Sequence, residues 1–180
     1  MTIEHAHALP AGTVLEGYRI ERLLGEGGFG LTYYAIEEAI DRPVAIKEYL
    51  PLGIGARDQQ SLAVMPVSEE RGTDFEWGLE RFRKEAATLV HFEHPNIVAI
   101  HRFFEALGTA YLVMQYIEGV SLEQIIKRSG HVPEAELRVI IDPLLDGLEQ
   151  VHAADFVHRD IKPANIVLRP DGTPVLIDFG

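Results

Sequence analysis

The sequence of 180 residues contains no cysteine. The chain therefore has neither a disulfide framework nor a thiolate zinc site, and this absence is consistent with a reducing compartment. No apolar run approaches the roughly 20 residues that a membrane-spanning helix requires. The amino terminus also lacks the basic and apolar stretches of a secretory signal peptide. These absences together predict a soluble, cytoplasmic protein without a membrane segment in this chain.

Basic residues are scarce as well. Sixteen Lys and Arg stand against 28 Asp and Glu, which gives a formal net charge of −12. A chain with this charge repels polyanions, so nucleic acid and anionic lipid surfaces are excluded as expected partners. The length and the 47 % share of hydrophobic residues are sufficient for one domain with a substantial core.

Short strands dominate the first part of the chain. Residues 1–17 are expected to be a loosely held leader, and residues 51–72 to be an irregular insertion because they combine glycine, proline and mixed charge. A glycine cluster is expected to join the first two strands as a hairpin. The predicted strands are residues 18–24, 31–36, 44–47, 98–104 and 111–115.

Three helices are predicted from the spacing of apolar residues. The first covers residues 74–91, with Thr73 and Glu76 as a capping box. The second begins after the capping residue Ser121 and ends before Gly130.

The third predicted helix covers residues 134–152, with a kink at Pro143. A small hairpin, residues 166–168 and 175–177, follows it. The pattern as a whole predicts an α+β, two-lobed fold. The expected buried face of the third helix consists of Leu137, Ile140, Ile141, Leu144, Leu145, Leu148 and Val151.

The glycine cluster Gly25-x-Gly27-x-x-Gly30 is by itself a weak motif. A dinucleotide-binding fingerprint requires a helix after the glycines, whereas a strand is predicted here. A nicotinamide-dependent oxidoreductase is therefore disfavoured. The remaining interpretation is a hairpin whose backbone N–H groups can approach phosphates closely.

A lysine and a glutamate provide a second candidate pair. Lys47 ends an apolar strand, where a solvated surface charge is the ordinary interpretation. Glu85 lies on the helix face that Phe82, Ala86 and Leu89 mark as buried, so its carboxylate requires a cation. A Lys47–Glu85 ion pair would meet this requirement.

The segment from His158 to Asn165 carries the strongest signal. Within six residues it holds a carboxylate (Asp160), a cation (Lys162) and an amide (Asn165). Phosphoryl transfer requires a positioner for the hydroxyl, a cation for the phosphate charge and metal ligands. A second carboxylate follows in Asp178-Phe179-Gly180, directly after an apolar strand.

These motifs, in this order, resemble the Hanks-type serine/threonine protein kinases, particularly the bacterial members. The resemblance implies a kinase-like fold with a complete N-lobe, built from a five-stranded antiparallel sheet and a C-helix, and only the first part of the helical C-lobe. The expected domain covers residues 18–180, with an N-lobe (18–113), a hinge (114–119) and a partial C-lobe (120–180). By this resemblance, residues 178–180 are expected to be the metal-binding turn, which precedes the activation loop in the family.

The resemblance also implies functional roles. Lys47 and Glu85 form the activating ion pair, Asp160 is the catalytic base, and Asn165 with Asp178 holds Mg²⁺, for which Mn²⁺ is an alternative. The residues implied to contact ATP are Leu24, Gly25, Glu26, Gly27, Gly28, Phe29, Gly30, Thr32, Ala45, Lys47, Met114, Gln115, Ile117 and Val167.

The implied activity is phosphorylation of serine or threonine in proteins, because Lys162 follows Asp160 as in serine/threonine kinases. Arg159 indicates regulation by activation-loop phosphorylation. Thr32 replaces the usual valine above the adenine, which predicts a modest loss of nucleotide affinity. The alternative is a nucleotide- or partner-binding module without turnover. In either case a partner or a missing C-terminal portion is expected to cover the apolar face of residues 134–152.

Overall fold

The computed structural model describes residues 7–179, which form two compact units. The first unit contains residues 7–90 and 100–116, and the second contains residues 91–99 and 117–179. Residues 1–6 of the predicted leader and Gly180 of the last motif lie outside the described residues. Within residues 7–179, none of the helices has the length and apolar character needed to cross a lipid bilayer.

The first unit is mainly β-structure. One helix, α1 (Gly72–Leu89), lies between its sixth and seventh strands in the chain. The strands are Val14–Leu15 (β1), Tyr18–Gly27 (β2), Gly30–Glu37 (β3), Arg42–Tyr49 (β4), Gly55–Arg57 (β5), Val64–Pro66 (β6), Ile100–Ala106 (β7) and Thr109–Gln115 (β8).

Six of these strands form one antiparallel sheet in the order β1-β2-β3-β4-β8-β7. Strand β4 lies inside the sheet because it pairs with β3 on one side and β8 on the other. The side chains of Val44, Ile46, Tyr111 and Val113 on these strands are at most 1 % exposed. The core of the unit is therefore centred on the strand that carries Lys47.

The prediction of a loosely held leader is wrong for the described part of residues 1–17. Val14 and Leu15 form β1 and pair with Arg19 and Tyr18 of β2, which adds a sixth strand to the five that were predicted. Leu9 is buried. The leader was underestimated because a two-residue strand has no alternation to detect.

The prediction of an irregular insertion is also wrong in part. Strands β5 and β6 form a separate antiparallel hairpin, with Ala56 opposite Met65. A short 3₁₀ turn, Glu69–Arg71, leads from this hairpin into α1. Each strand has only three residues, and such short strands leave little trace in the sequence.

The prediction of the first helix is confirmed by α1, but the prediction of its cap is not. The helix begins at Gly72, its N-cap residue Arg71 makes no side-chain cap hydrogen bond, and Thr73 lies inside the first turn. The predicted capping box of Thr73 and Glu76 is therefore wrong. Phe82, Ala86 and Leu89 are buried as predicted. The ring of Phe82 packs 5.8 Å from that of Tyr49 at the end of β4.

The second unit combines two helices with a small sheet. Helix α2 (Leu122–Ser129) begins with the capping box of Ser121 and Gln124 and is followed by Gly130 as its C-cap, which confirms that prediction. Helix α3 runs from Glu134 to Ala153. The strands Val120–Ser121 (β9), Ile166–Leu168 (β10) and Pro174–Leu176 (β11) pair in the order β11-β10-β9.

The predicted buried face of α3 is only partly confirmed. Ile140, Leu144, Leu148 and Val151 are buried, together with Gly147. Three other members of the predicted face are not, because Leu137 is 37 % exposed, Leu145 is 56 % exposed and Ile141 is half-buried. The face was predicted too wide because apolar character alone does not show how much of a helix its neighbours cover.

A buried carboxylate lies at the centre of the first unit. Glu48 of β4 is fully buried, and its Oε2 lies 2.5 Å from Nη2 of Arg57 in the insertion. The hydroxyls of Tyr33 and Tyr111 donate to Glu48 at 2.8 and 2.5 Å. Burial, and then the charge of Glu48, raise the pKa of both tyrosines, so both remain protonated donors.

The same network holds the leader and the insertion. Arg57 donates through Nε to the carbonyl of His7 at 2.8 Å and through Nη1 to the carbonyl of Leu62 at 2.6 Å. The N–H of Leu9 donates to the Tyr33 hydroxyl at 3.1 Å. A buried ion pair is tolerated only when its remaining polar atoms are also bonded, and these contacts supply the bonds.

We predict that Arg57→Met lowers the free energy of unfolding by about 3–5 kcal/mol, because it leaves the Glu48 carboxylate buried without its cation. Urea denaturation followed by circular dichroism measures this change. The control is Arg71→Met in the same insertion, since Arg71 pairs with Asp74 on the surface and its loss costs at most about 1 kcal/mol. Equal destabilisation by the two substitutions would contradict the assignment.

Candidate active site

The glycine-rich turn (residues 25–30) joins two strands, as predicted. Strands β2 and β3 pair antiparallel up to Gly27 opposite Gly30. Leu24, Gly25 and Glu26 lie exposed on β2, and the Phe29 side chain at the tip is 65 % exposed. The strand that follows the glycines excludes the strand–glycine–helix order of a dinucleotide fold.

The sheet brings four of the predicted nucleotide-binding residues together. Thr32 of β3 lies opposite Lys47 of β4, and Ala45 lies opposite Met114 of β8. Cross-strand partners share one face of a sheet, as do residues two apart on a strand. Thr32, Ala45, Lys47 and Met114 therefore occupy one face. Gln115 ends β8 opposite Val44.

Glu85 lies on α1 with its side chain 25 % exposed, and Arg81 lies 3.6 Å from its Oε1 one turn earlier. Lys47 is half-buried on β4. Both side chains are therefore partly buried. The direct Lys47–Glu85 bond stays a prediction.

The three polar residues of the loop before β10 meet around one carboxylate. Nζ of Lys162 lies 2.6 Å from Oδ2 of Asp160. The amide nitrogen of Asn165 donates to the same Oδ2 and to the backbone carbonyl of Asp160, at 2.9 Å each. Two donors thus fix the orientation of the Asp160 side chain.

These contacts also shift the pKa values of Asp160 and Lys162. Burial raises the pKa of the Asp160 carboxyl, but the hydrogen bonds from Lys162 and Asn165 outweigh it and the pKa is lowered. The hydrogen bond to Asp160, with the nearby carboxylates of Asp178 and Glu123, raises the pKa of Lys162. Asp160 is therefore anionic and Lys162 cationic at neutral pH.

The backbone places Asp178 beside this loop. The N–H of Ile177 donates to the carbonyl of Asn165 at 2.8 Å. Asp178 has a φ of 59°, and Arg159 has a φ of 65°. Left-handed backbone costs a non-glycine residue about 1–2 kcal/mol, and such strain concentrates at functional sites. Arg159 directly precedes Asp160, and Asp178 is itself one of the residues that the sequence assigned to chemistry.

The sequence did not assign roles to His158 and Phe179, although the structure uses both. His158 is fully buried, and its ring lies 4.4 Å from that of Phe179 and accepts through Nδ1 from the Asp160 N–H at 3.3 Å. The Phe179 ring packs in turn against Phe156 at 5.9 Å, and Phe156 packs against Phe92 at 6.4 Å. The spacing of these aromatic residues along the chain gives no periodic signal, so this packing could not be predicted.

Val167 lies on β10 between Val175 of β11 and Ser121 of β9, and it is buried. It belongs to the second unit with Asp160, Asn165 and Asp178, as does Ile117, whereas Lys47 and Met114 belong to the first. The predicted site residues are thus divided into two sets, one in each unit.

The residues present fit a magnesium ion. The amide nitrogen of Asn165 is bonded to Asp160, so the amide offers its oxygen as a ligand. Asp178 adds a carboxylate. Mg²⁺ is usually held by one or two such oxygens together with substrate phosphates. Within residues 7–179, no group of three or more His, Cys, Asp or Glu side chains is placed to hold a metal ion.

We predict that Lys162→Met raises the pKa of Asp160 towards the ordinary aspartate value, because the substitution removes a hydrogen bond to the carboxylate. A pH titration of the Asp160 carboxyl carbon by NMR measures the shift. Arg138→Met is the control, since Arg138 pairs with the exposed Glu134 on α3. An identical Asp160 titration in Lys162→Met and the unsubstituted chain would refute the prediction.

Comparison with known proteins gives concordant results. The protein kinase domain family matches residues 18–180. "Probable serine/threonine-protein kinase pknA2" of Bifidobacterium longum is 36 % identical over 171 residues, which are 95 % of this chain and 20 % of that protein. The serine/threonine-protein kinase PknA of Mycobacterium tuberculosis is 33 % identical over 175 residues, 94 % of this chain and 36 % of that protein. The chain thus spans about a fifth to a third of these relatives.

Solved structures agree with the sequence relatives. The apo form of PpkA-294 is 35 % identical, with a TM-score of 0.89 over 97 % of this chain and 62 % of that one. The PknI kinase domain of Mycobacterium tuberculosis is 25 % identical with a TM-score of 0.73, over 96 % of this chain and 61 % of that one. The family match covers both the glycine-rich hairpin and the loop around Asp160. The chain belongs to the protein kinase family.

Proposed function

We propose that this chain binds ATP with Mg²⁺ and transfers the γ-phosphate to serine or threonine hydroxyls of proteins. The observation that carries the proposal is the cluster of Asp160, Lys162 and Asn165, in which one carboxylate is held by two donors. The resemblance of the chain to bacterial serine/threonine kinases supports the same substrate class.

In this proposal Asp160 receives the proton of the substrate hydroxyl as the oxygen attacks the γ-phosphorus, the bond from that phosphorus to the β–γ bridging oxygen breaks, and ADP leaves. Its lowered pKa keeps it deprotonated and able to accept a hydrogen bond from the hydroxyl. Lys162 stabilises the negative charge on the phosphate oxygens. Because Lys162 and Asn165 fix the carboxylate beforehand, little reorganisation accompanies the reaction.

Asn165 and Asp178 are the residues that would hold Mg²⁺. When bound, the metal neutralises charge on the β- and γ-phosphates. The left-handed backbone of Asp178 directs the chain sharply after the apolar strand β11. That conformation is consistent with a carboxylate presented to a ligand instead of to the core.

The sheet face of the first unit would contact the nucleotide. Lys47, paired with Glu85, would bind the α- and β-phosphates. As the family resemblance implies, Ala45, Met114 and Val167 would contact the adenine, and residues 114–119 would act as the hinge. The backbones of Gln115 and Ile117 would bond the adenine edge.

Regulation and location follow from the same proposal. Arg159 would make the protein responsive to phosphorylation of an activation loop, as the family resemblance implies. A cytoplasmic location would give the site access to ATP and Mg²⁺. The exposed Leu145 and Val139 of α3 would be covered by a partner or by further kinase sequence.

The first test substitutes Asp160 by asparagine. We predict that Asp160→Asn lowers phosphate transfer from labelled ATP to a generic protein substrate by at least about 100-fold, because the proton acceptor is lost. Binding of ATP, measured by calorimetry, stays within about threefold, since Asp160 contacts the hydroxyl and not the nucleotide. Undiminished transfer would refute the role given to Asp160.

A second test separates the enzyme from a binding module without turnover. We predict that transfer by the unsubstituted chain disappears in Lys47→Met, because the phosphates are no longer positioned. Lys84→Met is the control, since Lys84 is an exposed lysine on α1 that pairs with Glu80. ATP binding without transfer by the unsubstituted chain would favour the module.

A further inference from the structure

The glycine-rich turn is bonded to the chain segment that leads into the insertion. The N–H of Leu50 donates to the carbonyl of Phe29 at 3.2 Å, and the N–H of Leu52 donates to the carbonyl of Gly28 at 3.2 Å. Gly30 pairs with Tyr49, the last residue of β4. The tip of the turn is therefore held by three successive contacts along residues 49–52.

The turn packs closely against the end of β4 at Gly30. Gly30 has a φ of +152°, and a Cβ added there would lie 1.8 Å from the carbonyl oxygen of Glu48. Only glycine therefore allows the turn to lie against the end of β4. The third glycine of the motif serves this packing, in addition to any approach to a phosphate.

The start of the insertion is itself a defined turn. The N–H groups of Ile54 and Gly55 donate to the carbonyl of Pro51 at 3.1 and 2.9 Å, and Gly53 has a φ of +73°. Glycine with positive φ at the third position is the feature of a type II turn. The N–H of Val67 donates back to the carbonyl of Ile54 at 2.9 Å, which closes the insertion on itself.

The insertion is fixed to the sheet at two further points. Arg57 of β5 forms the buried ion pair with Glu48 of β4. The N–H of Val64 donates to the carbonyl of Leu107, between β7 and β8, at 2.7 Å. Residues 51–72 are thus held both by the central strand and by the edge hairpin.

We propose that the insertion is a positioning element for the glycine-rich turn, with the Leu52 N–H as one of the contacts that hold the turn. This inference rests on the proposed function, because the turn is assigned there to the ATP phosphates. The insertion fixes residues 50–52, and those residues hold the carbonyls of Gly28 and Phe29. The N–H groups of the turn are thereby kept in place before a nucleotide arrives.

The test is Leu52→Pro, which deletes the N–H donor together with an exposed side chain. The Leu52 side chain is 72 % exposed, and proline is favoured at the second position of a type II turn. Leu52→Ala is the matched control, because it removes the exposed side chain and keeps the N–H. Thermal unfolding of both variants confirms that each is folded.

The first measurement is amide hydrogen exchange of residues 25–31 in the absence of nucleotide. Leu52→Pro is expected to accelerate exchange there by about threefold to tenfold, the equivalent of one lost hydrogen bond, whereas Leu52→Ala does not. Equal exchange in Leu52→Pro and the unsubstituted chain overturns the proposal. This measurement does not depend on any activity.

The second measurement compares ATP with adenosine by calorimetry. Leu52→Pro is expected to weaken ATP binding by about threefold to tenfold while adenosine binding is unchanged, because the turn faces the phosphates alone. An equal loss for both ligands, or no loss for ATP, overturns the positioning role. If the unsubstituted chain binds no ATP, the proposed function fails, and the exchange measurement alone decides whether the insertion positions the turn.

Discussion

The first unit depends on pairing and hydrogen-bonding one buried carboxylate, that of Glu48. Glu48 lies on β4, the strand that also carries Lys47, and successive residues of a strand point to opposite faces. One face therefore holds a buried carboxylate while the other presents a lysine. Arg57, Tyr33 and Tyr111 satisfy the carboxylate. Since Arg57 belongs to the insertion and bonds the carbonyl of His7, the same charge requires the insertion and the leader to be in place.

The second unit fixes the orientation of a partly exposed carboxylate, that of Asp160. Asp160 receives hydrogen bonds from Lys162 and Asn165, and its backbone N–H donates to the buried His158. The ring of Phe179 packs against His158 and connects the turn of Asp178 to this loop. Arg159 and Asp178, which adjoin these residues in the chain, both have left-handed backbone. The polar groups and the aromatic contacts are therefore parts of one arrangement.

The sequence predicted most of the architecture because the relevant signals are local. Strand alternation, the cap at Ser121 and the glycine hairpin each depend on residues that are near one another in the chain. Several errors occur where distant residues decide the outcome, whereas the capping box of Thr73 was wrong because α1 already begins at Gly72. The width of the buried face of α3, the docking of Leu9 and the pairing of Arg57 with Glu48 across nine residues all depend on tertiary neighbours. The residue types of the loop around Asp160 were predicted, but its hydrogen-bond pattern was not, because spacing does not specify which donor reaches which oxygen.

We propose that this member of the protein kinase family transfers phosphate to serine and threonine hydroxyls. The most direct measurement is phosphoamino-acid analysis of a mixed protein substrate after incubation with the chain, labelled ATP and Mg²⁺. We expect labelled phosphate on phosphoserine and phosphothreonine. Label confined to phosphotyrosine, or ATP bound with no label transferred, would contradict it.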